Sequence, residues 1–589
     1  MIRRFLPLLF AALAGAALAA PEVPRIVPGE VVTSAKALPA AKVRLDAAAT
    51  PAPLVLPAVT AAELEAVSRA NRRDAAKGLA KRVRIGTNRD VPTPSGKAAK
   101  ALEAAWKPVE GGYAARFAIT SPEAVALRAG IDLSGLPPEA EMVFIGSGAP
   151  DAPAGPIRVG SIADRTGTWW SPPTEGETQT VEVFLPPGAD PAGRSLRYTK
   201  VSHLFTSAAS GFKSFAKGIG DSGSCNVDIA CAQNPSAAFL NTRNSVARMV
   251  FTRADGSFLC TGTLLNDVDN GQQIPWFYSA NHCFDNEDPP YRTAAQMQSI
   301  ASTLVTYWFF EATTCGGSTA GAFVTRNGGA TWIYNNQARD VLFLRLNESP
   351  PNGAFLTGYS TEAFSAGQTG TDFHHPSGDL KKWSQGTVQG FSKPFTEAAA
   401  NTFTEVKWFS GTTEGGSSGS GLWFFDGSQY TFRGGLWGGT ALCSVPNGTD
   451  NFSRFDLVFP DLARYLATAA PFANFSDIWW GGQSESGWGL NILQHPSNGV
   501  FIVWYTYDAQ GKHTWYVVSD GTWTSSARFT GKLYITSGPA YDNPAYNSGN
   551  FHVTEVGTGT LEFTSADAGT WTYVINGVSG TKAITRTPF

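Results

Sequence analysis

Cysteine is missing before residue 225 and after residue 443. The six that occur, Cys225, Cys231, Cys260, Cys283, Cys315 and Cys443, crowd one central stretch. An even count confined to one region marks a disulfide-stapled domain in an oxidising compartment, with a connectivity that spacing alone leaves open. Charge is scarce too, at 16% of residues with a net charge of −3, so nothing in the balance asks for nucleic acid or an anionic membrane. Long helical periodicities are few, whereas Gly, Thr, Ser and aromatics are plentiful, which favours a mainly β protein. No segment supplies the roughly 20 consecutive apolar residues of a membrane span. The apolar run 5–18 is shorter; it follows Arg3 and Arg4 and leads into Ala17-Leu18-Ala19. That order is a secretory signal peptide over 1–19 and predicts export, extracellular or periplasmic, of a soluble mature protein.

At 589 residues the chain exceeds one core and predicts roughly three to four domains. An Ala/Pro-rich stretch over 21–59 reads as extended and mobile. Thr60 and Glu63 form a capping box opening a basic helix to about Arg82. Its Arg69, Arg72, Arg73, Lys77, Lys81 and Arg82 read as a solvated face. Ser121-Pro122-Glu123 predicts a second short helix ending at Gly130. Strand-like runs at 142–145 and 180–185 follow, so 20–217 reads as a small α+β region with a loose leader. From 218 to 467 the chain is Cys-containing, Gly-rich and strand-like. A small-residue link at 467–473 leads to a β-rich tail, 475–589, dense in Trp and Tyr. There 501–508 and 512–519 flank Ala509-Gln510-Gly511, and Asn576-Gly577 is a two-residue hairpin signal. The tail's aromatics read as its core, with glycan or cell-surface contact as the alternative. No solenoid-type repeat is present.

Gly415-Gly416-Ser417-Ser418-Gly419-Ser420-Gly421 lies between two strand-like runs. A tight Gly-rich turn there brings backbone N–H groups beside an exposed serine, which is what a tetrahedral oxyanion needs. A serine hydroxyl also needs a base. The central region holds three histidines, His282, His374 and His375. His282 ends an apolar strand beside Cys283, where a disulfide would hold the imidazole's backbone rigid. His374-His375, before Pro376, lacks companion ligands at metal spacing and reads as structural. Asp340 opens the strand-like 341–346 and is the carboxylate suited to orient an imidazole. The chain order His, Asp, Ser is one of the known orders for such a triad.

Over 218–467 these segments resemble the bacterial lysyl endopeptidases, a branch of the trypsin/chymotrypsin-like serine proteases. The matching stretches are 222–231, Cys260-Thr261-Gly262-Thr263 with 279–283, 340–344, His374-His375-Pro376 and 413–420. The resemblance implies a chymotrypsin-like pair of six-stranded β-barrels with His282, Asp340 and Ser418 as the triad and the N–H groups of Gly416 and Ser418 as the oxyanion hole. It implies disulfides Cys225–Cys443, Cys231–Cys315 and Cys260–Cys283. It places Asp450 in the primary specificity pocket, where its carboxylate would pair with a basic side chain. Thr412 would take the pocket-base position often held by Asp in trypsins, with Trp437 and Gly438 on the neighbouring segment.

Two departures qualify that comparison. Trp437 stands where the lysyl enzymes carry His, so cleavage is expected after basic residues with the Lys/Arg preference open. Ser417 replaces the Asp that most trypsin-like proteases use to bury a new N-terminal ammonium, so activation is expected not to need that salt bridge. The region 20–217 resembles the pro-region of such enzymes, acting as folding aid and inhibitor and removed after Lys217 or close by. No metal and no cofactor are expected; the partners are protein or peptide substrates and the chain's own pro-region. The rival readings are a catalytically inactive protease fold and a surface-binding protein acting through its aromatic tail.

Overall fold

The computed structural model describes residues 26–588 except 34, 36–38, 77–81, 92–101, 104, 163–166, 207–221, 269–272, 468–470, 472, 496–497 and 544–546. The expected signal peptide and the expected processing point at Lys217 lie outside the described residues. Two compact units form, one from 26–266 with 275–458 and one from 267–274 with 459–589.

Within the first unit, an antiparallel sheet runs in the order Val324–Arg326, Val305–Trp308, Val246–Arg253, Gly256–Leu265, Trp276–Ser279, Val341–Leu346, Ala330–Asn336. It curls around Met249, Phe251, Leu264, Phe277, Trp308, Leu342 and Leu344. Val83–Arg84 pairs onto Gly256–Leu265 as an eighth strand. The second sheet closes on itself: Tyr430–Gly439, Gly421–Phe425, Thr369–His374, Lys382–Ser392, Phe403–Ser410 and Thr449–Ser453, the last pairing back onto the first. Alternating inward positions such as Val388, Val406, Leu422 and Phe452 fill it. Disulfides join Cys225 to Cys443, Cys231 to Cys315 and Cys260 to Cys283.

Residues 54–204 of the same unit build two six-stranded sheets around a core that includes Phe117, Ile131, Phe144, Val183 and Tyr198. The capping box forms, Thr60 N donating to Glu63 at 2.8 Å and Glu63 N to Thr60 Oγ1 at 3.3 Å, but the helix it opens is Ala61–Ala76. Arg82 is therefore off the helix, and its guanidinium ion-pairs with Glu287 rather than facing solvent. The helix expected over 121–130 is instead the strand Ala126–Asp132. Glu123, with φ of 67°, sits in the left-handed region that a right-handed helix cannot continue through. Leu127, Ala129 and Ile131 then enter the core at every second residue, the period of a strand. The leader is also not loose over its described part. Ile26–Val27 pairs with Tyr359–Ser360, and Glu30–Val31 with Phe355–Leu356. Its β-branched residues add to free sheet edges, burying Val27 and Val32.

The second unit is an antiparallel barrel of eight strands in a meander, closed by Val517 against Tyr534, with a ninth strand alongside. Trp479, Trp504, Trp523 and Trp571 fill its interior with Phe475 and Phe563. Ala568–Ile575 turns into Val578–Arg586 through Asn576 and Gly577, both at positive φ (48° and 84°), the conformation a two-residue type I′ turn requires. Among the described residues no helix is long and apolar enough to cross a membrane.

Candidate active site

The segment after Trp276–Ser279 makes one helical turn, Asn281–Phe284, that is buried throughout. The Cys283–Cys260 disulfide ties that turn to the neighbouring strand, so the backbone carrying His282 has little freedom. Across the sheet, Ser279 lies opposite Leu342, which brings the loop before Val341 alongside the turn. Asp340 adopts φ of 51° there. Its Oδ1 accepts from His282 N at 2.9 Å, and its Oδ2 lies 2.8 Å from His282 Nδ1. A carboxylate held at two points fixes both the ring's orientation and the tautomer with a proton on Nδ1. The free lone pair on Nε2 then faces Ser418 Oγ, 2.7 Å away. His282, Asp340 and Ser418 are all buried.

Ser418 sits in the turn between Phe403–Ser410 and Gly421–Phe425. Thr261 pins this turn from the first sheet: its N–H donates to Ser418 O at 2.8 Å and its hydroxyl to Gly416 O at 2.9 Å. Gly416 has φ of 95°, and a Cβ there would meet His375 O at 2.8 Å; backbone conformation and space both require glycine. Among the described residues the N–H groups of Gly416 and Ser418 donate no hydrogen bond. Ser417 Oγ bonds His374 Nδ1 at 2.8 Å and receives Glu414 N at 3.2 Å. His374 thus props the turn from behind. His375 is buried with Nδ1 at 2.9 Å from Asp379 O, and burial, helped by Lys381, holds its pKa well below the ordinary range.

Asp450, on Thr449–Ser453, is fully buried. Its Oδ2 accepts from Trp408 Nε1 and Thr413 Oγ1, each at 2.6 Å. Gly439 lies opposite, where a Cβ would come within 2.6 Å of Oδ1. Thr412 directly precedes Thr413, and its carbonyl accepts from Ser384 Oγ at 2.8 Å. Trp437 packs on Phe395 with ring centroids 5.2 Å apart, in a cluster with Ala398 and Phe403, and Gly438 pairs opposite Asn451. Sequence reasoning missed Trp408 and Thr413. Nothing in the sequence ties either to Asp450: Trp408 comes from the strand paired with Thr449–Ser453 and Thr413 from the turn that follows it.

A hydroxyl, an imidazole and a carboxylate in this chain, beside two backbone donors, can perform acyl transfer with water as the final acceptor. Two-sheet architecture and constellation together define a serine endopeptidase of the trypsin-like class. Residues 219–453 match the model of the lysyl endopeptidase C-terminal domain, and residues 55–205 that of the lysyl endopeptidase N-terminal domain. The lysyl endopeptidase of Pseudomonas aeruginosa is 39% identical over 372 residues, covering 61% of this chain and 76% of that protein. The chain belongs to the lysyl endopeptidase family. Among solved structures, the protease Anisep from Arthrobacter nicotinovorans aligns with 39% of this chain and 98% of its own, at 13% identity and a TM-score of 0.27. The thermostable serine protease AL20 from an extremophilic microorganism aligns with 36% and 92%, at 13% identity and a TM-score of 0.25.

Proposed function

We propose that the chain is the precursor of a secreted endopeptidase that cleaves after basic residues through His282, Asp340 and Ser418. The observation that carries the reading is the continuous relay from Asp340 Oδ2 to His282 Nδ1 and from Nε2 to Ser418 Oγ, at 2.8 and 2.7 Å. Ser418 Oγ attacks the scissile carbonyl carbon while His282 Nε2 takes its proton. The carbonyl oxygen becomes an anion held by the N–H groups of Gly416 and Ser418. Collapse breaks the C–N bond, and His282 returns the proton to the leaving amine. Water, deprotonated by the same nitrogen, then frees the acid from the acyl-enzyme. Asp340 keeps the tautomer and stabilises the imidazolium.

Substrate choice rests on Asp450, a buried carboxylate on the strand beside Gly438 and Gly439, whose charge suits pairing with the cationic tip of Lys or Arg. The Lys-cleaving relative named above supports the same class of substrate. Residues 1–19 act as export signal, 20–217 as a pro-region that aids folding and blocks the cleft, and 218–467 as the mature enzyme. Activation needs no buried ammonium partner at residue 417, since Ser417 already bonds His374 and Glu414. Hydrolysis of peptide amides ending in Lys, Arg, Ala or Phe tests the reading. Cleavage confined to Lys and Arg is expected, and cleavage after Ala or Phe instead refutes the Asp450 assignment. N-terminal sequencing of the secreted enzyme should find a start between Gly218 and Ser222; a start near Ala20 in fully active enzyme contradicts the pro-region.

A second reading concerns the C-terminal barrel. Tyr505 lies opposite Trp515, with Tyr507 two residues further along the same face, and all three are exposed. Such a flat aromatic face suits stacking on sugar rings. Retention of the full chain on insoluble polysaccharide, lost in Trp515→Ala, is the expected result; equal retention refutes it.

A further inference from the structure

We infer that residues 82–85 are the intramolecular plug of this enzyme, lying along the surface that receives the chain on the leaving-amine side of a substrate. The inference rests on the triad reading above and names the segment and contacts by which the pro-region acts. Val83–Arg84 forms a short antiparallel ladder with the edge of Gly256–Leu265, Val83 opposite Leu259 and Arg84 opposite Phe258. Leu259 immediately precedes Cys260, whose disulfide leads directly to the turn holding His282. Arg82 Nη1 donates to the carbonyl oxygen of His282 itself at 2.5 Å and ion-pairs with Glu287 at 3.2 Å. On its other side the segment meets the nucleophile turn: a Cβ on Gly415 would lie 2.6 Å from Val83 Cγ2. The segment therefore bridges the backbone of the base and the backbone beside the nucleophile.

The side it occupies follows from the chemistry. His282 Nε2 must return its proton to the departing amine, so the departing chain has to lie on the His282 and Cys260–Cys283 side of Ser418. An extended peptide there finds an unpaired strand edge at Phe258–Leu259, a standard surface for strand addition. Residues 82–85 already hold that edge. Their hold is built in: Arg84 N and O exchange hydrogen bonds with the Asn71 side chain at 3.0 and 2.9 Å. Ile85 N donates to Ser257 O at 2.8 Å, and Phe205 N to Ile85 O at 2.9 Å. Val83 and Ile85 share one apolar cluster with Leu259, Val305 and Phe310. Further back, buried Arg128 reaches across to Thr252 Oγ1 at 2.9 Å and Thr303 O at 2.8 Å. A segment tethered in the same chain competes at an effective concentration on the order of millimolar, enough to exclude peptide substrates present at micromolar levels.

The test compares intact full-length wild type, Val83→Asp and Arg82→Ala, with fully processed wild type as reference. The substrate is a peptide with Lys followed by four further residues, initial rates being divided by the intact chain read on gels. Val83→Asp puts a charge into the apolar cluster and should raise the intact chain's rate at least tenfold. Arg82→Ala removes the contacts to His282 and Glu287 and the guanidinium's place over the Phe258 ring, leaves the apolar cluster intact, and should raise it about threefold. Intact variants no faster than intact wild type, beside an active processed enzyme, overturn the plug alone. An inactive processed enzyme overturns the triad reading, and the plug with it.

Discussion

Asp450→Asn is expected to separate recognition from chemistry. The substitution keeps one oxygen, so Trp408 Nε1 and Thr413 Oγ1, each at 2.6 Å from Oδ2, retain their acceptor. What is lost is the charge, and an amide N–H₂ replaces the oxygen facing Gly439. A charge-assisted hydrogen bond contributes about 1.5–3 kcal/mol. At 1.36 kcal/mol per tenfold in rate, that is a fall of about 10- to 150-fold in kcat/KM for Lys and Arg substrates. Peptides ending in Ala or Phe should be hydrolysed at their former, low rates, and the melting temperature should hold. Asp450→Ala, by contrast, would strand two buried donors at about 1–3 kcal/mol each and lower stability as well. The assay is kcat/KM of the mature enzyme on the four-substrate panel, with thermal melts of both variants. An equal fall on all four substrates, or none on the basic pair, would refute the assignment of Asp450 to the basic side chain.

Removing the Cys260–Cys283 disulfide by double replacement with Ala opens a loop of sequence separation 23. It should cost about 3 kcal/mol on the chain-entropy account and lower kcat at least tenfold by freeing the His282 turn; unchanged kcat contradicts the rigid-base argument. His203 is buried against Ser121 Oγ at 2.9 Å, and burial, with Arg89 nearby, holds its pKa down to about 4 against an opposing pull from Glu63. An unfolded histidine binds its proton near pH 6.5. Between pH 6.5 and 4 the unfolded chain therefore binds more protons, and stability drops as pH falls, by up to about 3 kcal/mol. Urea melts of the intact chain at pH 7 and 4.5 should show the loss, and His203→Gln should flatten it; an unaltered slope in that variant contradicts the assignment. Trp571→Ala, at the centre of the C-terminal barrel, should cost about 3–5 kcal/mol in that unit's melt. Peptide hydrolysis should stay unchanged, because His282, Asp340 and Ser418 all lie in the other unit.

What was legible in the sequence followed from how local each signal is. His282 follows a strand, Asp340 precedes one and Ser418 lies in the turn between two, each with a distinctive neighbour, a cysteine, an apolar run or a glycine cluster. Their segments can be read before any pairing is known. The tail's hairpin at Asn576-Gly577 was readable for the same reason, since the turn type dictates its residues. The partners of Asp450 were not, because Trp408 reaches it through strand register and Thr413 through the turn that follows that strand. The strand Ala126–Asp132 was misread because Pro122 with an acidic neighbour imitates a helix start, and only tertiary pairing reveals the two-residue period. Arg82 was misplaced on a helix face because nothing in the basic run marks where the helix stops. The leader at 26–32 reads as loose because its few apolar residues bury only on strand edges supplied by residues more than 300 positions away.

The central claim is that Ser418 Oγ is the nucleophile activated by His282. Its most direct test is hydrolysis of a Lys-containing peptide by the mature enzyme with and without Ser418→Ala. The account predicts a loss of about 10⁴-fold or more in kcat, with the substituted enzyme still folded and still binding the peptide. Hydrolysis by folded Ser418→Ala within tenfold of the wild type would contradict it.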